Sequence, residues 1–187
     1  MSIALPILQP SGAPQPAICG PCGGECCKRA PGISHPDDWN PSNPTEMFAL
    51  LVDALQTNWV ADGWDGWCQE REIFGPADTE FDPPRAGTDD WLWYHTDYVR
   101  PRGANDRSIT SRSWGAGQCV FLTDSGCGLS YADRPTQCRE LIPAEDRDCK
   151  LSDPNLGKRG LAQAWAPYQL LLNSAIAEAR RTINEPS

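Results

Sequence analysis

From Asn43 to Trp59 the chain reads NPTEMFALLVDALQTNW, and its apolar positions return at helical spacing. Met47, Phe48, Leu51, Leu55 and Trp59 fall on one face. Asn43 suits the N-cap, Pro44 the first helical position, and Glu46 falls in the first turn. Asp62-Gly63 is the predicted stop. A second stripe lies between Gly160 and Asn184, through Leu161, Ala164, Trp165, Tyr168, Leu171, Leu172, Ala175, Ile176 and Ala179. Pro167 interrupts it, so a kink or break is expected at Ala166. Both stripes read as core-packing faces.

Strand signals are shorter. DDWLWYHTDYVR is rich in aromatic and β-branched residues, with Trp91, Trp93 and His95 on one side. PRGANDRS, which follows, reads as a turn or exposed loop. QCVFL, TDSG and CGLSY read as strand, turn and return, which predicts a small hairpin. The rest of the region from Asp62 to Arg107 reads as loop. It belongs to a Trp-rich insertion at about 60–107.

A length of 187 residues suits one domain with a single core. Eighteen prolines, sixteen glycines and a mean hydropathy of -0.50 predict many turns. Residues 1–18 form a Pro-rich arm with little to bury. Such an arm needs its own domain or a neighbouring subunit to lie against, which hints at assembly. The net charge of -9 disfavours binding to phosphate backbones, so no direct nucleic-acid partner is expected. No run of eighteen apolar residues occurs, so no membrane span is expected. The start, MSIALPILQPSGAPQPA, lacks a positive n-region and does not read as a signal peptide. The expected location is the cytoplasm, or a particle assembled there.

That placement changes what nine cysteines mean. In an exported domain they would suggest disulfides, but in a reducing compartment clustered thiols point to metal ligation or redox work. An odd count also prevents complete internal pairing. Eight fall in two blocks: Cys19, Cys22, Cys26 and Cys27, then Cys119, Cys127, Cys138 and Cys149. Cys68 stands alone between them and reads as a buried apolar residue. C-x-x-C spacing aims two sulfurs at one ion, in zinc sites and in iron–sulfur clusters alike. The Gly-Pro and Gly-Gly pairs of CGPCGGECC favour the tight turns this needs. Adjacent Cys26 and Cys27 diverge in direction and would serve different ligand positions or different metals. Four thiolates around zinc or an oxidised cubane leave a formal charge near two negative, which nearby cations relieve. Arg134 and Arg139, flanking Cys138 in RPTQCRE, are the candidate supporting residues.

With these motifs the chain resembles the YkgJ-type cysteine-cluster proteins, described as zinc- or iron-chelating domains with a CxxCxxCC-like signature. The resemblance rests on CGPCGGECC, on Cys119-Val120-Phe121-Leu122, Cys127, Tyr131, Arg134-Pro135 and Cys138-Arg139, and more loosely on Cys149. Three residues rather than two separate Cys22 from Cys26, and the Trp-rich insertion is a second departure. The resemblance implies an α+β fold: a small, loop-rich single domain over 19–187 organised around a cysteine metal cluster, with two main helices and a short hairpin. It implies an iron–sulfur cluster, with zinc as the alternative, since some relatives joined to methylation activity are reported to carry a cluster. Members also occur among bacteriophage genes, so a virion component is one expected role.

His35 and His95, the only histidines, read as packed or solvated rather than as ligands. No Gly-x-Ser-x-Gly, phosphate-cradling loop or catalytic triad is present, so no catalytic residue is assigned. The expected function is a noncatalytic metal-binding protein with protein partners in a larger assembly. The alternatives are a redox or methyl-transfer accessory module, or a metal storage or delivery protein.

Overall fold

A computed structural model of the chain describes residues 24–56, 59–60, 63–64, 67–74, 94–106, 108–110, 115–142 and 150–184. The Pro-rich arm, Cys19, Cys22, Trp91, Trp93, Cys149 and most of the Trp-rich insertion lie outside these residues.

The described residues mix helix with small antiparallel sheets, an α+β composition. A short helix α1 spans Glu25–Arg29. It starts from Gly24, whose φ of 72° is one that L side chains rarely adopt. A 3-10 turn over Pro36–Trp39 follows, and then helix α2, Pro44–Gln56. Asn43 caps α2 as its sequence predicts: Oδ1 accepts the Glu46 N–H at 3.2 Å while the Asn43 amide donates to the Glu46 carboxylate. Met47, Leu51, Ala54 and Leu55 form its buried face. The helix is shorter than its stripe predicts. It ends at Gln56, and Trp59 belongs to a strand, β1 (Trp59–Val60), paired with β2 (Gly63–Trp64).

The longest ribbon joins β3, Trp67–Phe74, to β4, Tyr94–Pro101, in register from Trp67↔Pro101 to Phe74↔Tyr94. The sequence predicts β4 but reads its partner as loop. WCQEREIF carries charges where a half-buried strand would carry apolar residues, and one of them, Glu70, is matched across the ribbon. The Arg100 guanidinium donates to Glu70 and grips Asp106 with two further bonds of 2.6 and 3.0 Å. Asp106 also accepts the Gly103 N–H at 2.7 Å, which closes the PRGAND turn. The expected hairpin is present in short form, with β5 (Leu122–Thr123) against β6 (Gly126–Cys127).

A one-turn helix α3, Thr136–Arg139, precedes a last pair, β7 (Leu141–Ile142) with β8 (Lys150–Leu151). The chain closes with α4, Lys158–Trp165, a 3-10 turn over Ala166–Tyr168, and α5, Gln169–Asn184. The break falls at Ala166, where Pro167 predicts it. Helices α2 and α5 pack together, and one core gathers Trp39, Leu51, Leu55, Val99, Trp165 and Leu172, each at or within 1% of complete burial.

Candidate functional site

Two clamps tie the start of the described chain to its later half. In the first, the Cys119 N–H donates to the Cys27 carbonyl at 2.7 Å. Cys119 is held for this by main-chain bonds from Ala104 to Gln118 and from Val120 to Arg102, so the turn after β4 fixes its position. In the second, Gln137 spans three segments. Its N–H donates to the Ile33 carbonyl, its Oε1 accepts the Ile33 N–H at 2.9 Å, and its amide nitrogen reaches the Leu156 carbonyl. The consequence falls on the next residue: Cys138 lies against Gly32 so closely that a Cβ built there would collide with its sulfur.

Asp38 secures the same junction. Its carboxylate accepts the His35 N–H at 2.9 Å, the Thr136 N–H at 2.9 Å, the Thr136 hydroxyl at 2.7 Å and the Arg139 guanidinium at 2.5 Å. Arg139 also donates to the carbonyls of Arg134 and Ala132 and to the Thr136 hydroxyl. Its cationic end is thus engaged with Asp38 and main-chain oxygens.

Five cysteines lie on the segments that these junctions tie together: Cys26 and Cys27 on α1, Cys119, Cys127 at the end of β6, and Cys138 on α3. None of the five is in a disulfide. The sulfurs of Cys26 and Cys27 stand 3.9 Å apart. Charge on one thiol is felt by the others: Cys27 by way of Cys26, Cys138 and Cys119; Cys119 by way of Cys127 and Cys26; Cys138 by way of Cys119, Cys127 and Cys26. Among the described residues no three His, Cys, Asp or Glu side chains already stand as a metal-holding group. Three of the eight cysteines singled out in the sequence, Cys19, Cys22 and Cys149, lie outside the described residues.

The thiols are unequal. The hydrogen bond from Cys27 draws the Cys26 thiol down to about 6 against the cost of its burial, and the Arg134 charge assists. That same bond and then burial push Cys27 up. Burial raises Cys119 to about 12, and burial also raises Cys138.

Arg134 is 4% exposed. Its Nε donates to the Leu129 carbonyl at 3.4 Å, the Tyr131 ring lies 5.9 Å from the guanidinium carbon, and Nη2 is buried with no hydrogen-bond partner among the described residues. Arg134, Arg139, Asp37, Asp38 and Asp133 border a cleft of about 240 Å³.

Cys68 lies on β3 opposite Arg100 and His95 on β4 opposite Ile73, away from the five in chain position. The His35 Nδ1 accepts the Asp37 N–H, which caps the 3-10 turn. Sequence reasoning missed Gly32, Asp38 and Gln137. Gln137 had one signal, its place beside Cys138 in RPTQCRE. No helix among the described residues is long and apolar enough to cross a membrane. Comparison with protein-family models, curated proteins and solved structures found no match.

Proposed function

We propose that this chain is a metal-binding protein whose clustered cysteines hold an iron–sulfur cluster or zinc, and that the centre acts as a structural staple rather than a catalyst. The observation that carries the reading is that the segments bearing the five described cysteines are tied to one another, with Cys27 and Cys119 joined through their main chains. Two features of the surroundings fit a negatively charged centre. A buried Arg134 nitrogen has no partner among the described residues, and Gly32 leaves room for the Cys138 sulfur where any side chain would displace it. Cys26, Cys27, Cys119, Cys127 and Cys138 would supply ligands, with Cys19, Cys22 and Cys149 completing the set. When bound, such a centre supplies folding free energy, on the order of 10–16 kcal/mol for structural zinc. That exceeds the net stability of a typical domain.

The deciding experiment is metal and sulfide analysis with an absorption spectrum, on protein purified without oxygen. Stoichiometric iron with sulfide, or zinc alone, supports the reading; neither metal above trace level overturns it. Removal by a chelator then separates the roles. A structural centre unfolds on treatment, whereas a storage or delivery protein keeps its fold. The Pro-rich arm at 1–18 and the Trp-rich insertion are the segments that would join a larger assembly in the cytoplasm, a phage particle included. Size-exclusion of the chain with and without residues 1–18 tests this, and an unchanged monomer in both counts against it.

A second reading is favoured by the Cys26–Cys27 spacing of 3.9 Å and the low value at Cys26. On it the pair cycles between dithiol and disulfide as a redox module. Mass spectrometry of the metal-free chain across a range of glutathione potentials would reveal a two-electron step at this pair. Its absence removes the second reading and leaves the first intact.

A further inference from the structure

Arg134 and Arg139 sit five residues apart around Cys138, yet their surroundings differ. Arg139 meets a carboxylate, a hydroxyl and two carbonyls. The Nη2 of Arg134 meets no acceptor among the described residues and no solvent. A buried donor left without an acceptor costs free energy, and more when it is charged. The adjoining cleft does not relieve this cost: Nη2 has no access to solvent there, and Asp37, Asp38 and Asp133 on its walls would repel an incoming anion. Arg134 instead leads through Pro135 directly into α3, the one-turn helix that carries Cys138.

We propose that Arg134 is the charge-compensating residue of the cysteine centre, its Nη2 N–H groups donating to a ligand sulfur. This rests on the metal-binding reading above. A four-thiolate centre carrying close to two negative charges is costly to bury. One guanidinium beside it offsets part of that cost, and the anion in turn satisfies the orphaned donor. The two groups are complementary in sign and in hydrogen bonding. Arg134 is a positioning residue in this role, not a ligand.

The test uses the full chain, reduced and oxygen-free, titrated with Co²⁺ as the probe and read by its thiolate-to-cobalt absorption. Arg134→Gln is expected to weaken Co²⁺ binding about 10–100-fold. It also raises the pH of half-loading, because protons compete better for thiols that have lost a neighbouring cation. Arg134→Lys keeps the charge without the planar fork and falls between the two, which covers a poorly folding glutamine variant. The metal-free chain should lose less stability than the Co²⁺-loaded chain in either variant, since without the anion Nη2 has no acceptor among the described residues to lose. Equal losses of stability with and without Co²⁺, at unchanged affinity, would mean an ordinary packing role and overturn the proposal. If wild type binds Co²⁺ and both variants match it, only this inference falls. If wild type binds none, the metal-binding reading falls with it.

Discussion

The N–H of Cys119 donates to the carbonyl of Cys27 across 2.7 Å, joining two cysteines from opposite halves of the chain. The contact is between main chains, so it holds the two segments together whatever the sulfurs are doing. It gives the early and late cysteine blocks one meeting place, and nearby residues should therefore govern both stability and thiol chemistry.

Asp38 holds the other junction between the early and late segments. Its side chain is 9% exposed, and the carboxylate accepts from three residues at once. Asp38→Ala strands the Arg139 charge and the Thr136 donors, and should cost about 3 kcal/mol. Urea denaturation should show a lower midpoint with an unchanged slope. Asp38→Asn keeps one acceptor oxygen and should lose less.

Gly32→Ala sets a methyl group onto the Cys138 sulfur. Either α3 shifts or Ile33 parts from Gln137. The expected loss is about 1–3 kcal/mol, as for an overpacked interior. Cys138 should also become more reactive toward a maleimide, measurable by mass spectrometry of the labelled peptide. Unchanged stability and labelling together would contradict the contact.

Trp165→Phe should cost about 1–3 kcal/mol. The indole donates to the buried Ser34 carbonyl at 2.8 Å, and phenylalanine leaves that oxygen without this donor as well as leaving a small void. Thermal unfolding should record a fall of several degrees.

The metal-free protein should also report its thiols through pH. With its value near 6, against an ordinary thiol value of 9.0, Cys26 has roughly 100 times the usual thiolate fraction at pH 7. Lower basicity makes each thiolate roughly 20 times less nucleophilic. Alkylation should therefore run about fivefold faster than for a free cysteine, with a rate that levels off above pH 7. For stability the sign follows from proton binding. Between pH 6 and 9 the unfolded chain holds the Cys26 proton that the folded one has released, so Cys26 stabilises the fold increasingly as pH rises. Cys119 acts oppositely: between 9 and about 12 the unfolded thiol ionises first, and stability falls as pH rises. Denaturation midpoints across pH 6 to 11 on Cys26→Ser and Cys119→Ser proteins check both directions.

The parts of this fold legible in the sequence are those written in local chemistry. Asn43-Pro44 announces α2, Pro167 breaks the last helix, and TDSG turns the short hairpin. β3 escaped because Glu70 is held by Arg100 on the neighbouring strand, and a cross-strand partner cannot be read from periodicity. The overrun of α2 to Trp59 has a similar cause: a helical stripe continued while strand pairing claimed the residue. At the site, the cysteine blocks and Arg134 stand out by type and spacing. Asp38, Gln137 and Gly32 do not, since their roles depend on bonds and contacts across roughly a hundred residues of chain.

The Cys27–Cys119 link also bears on how the protein is made. Cys26 and Cys27 emerge from the ribosome on the order of ten seconds before Cys138, at ordinary rates of protein synthesis. During that interval the early sulfurs have no late companions, and an oxidant or a stray ion meets them first. On the proposed metal-binding reading, the yield of loaded protein would then depend on timing, and slower translation through residues 60–107 would lower it.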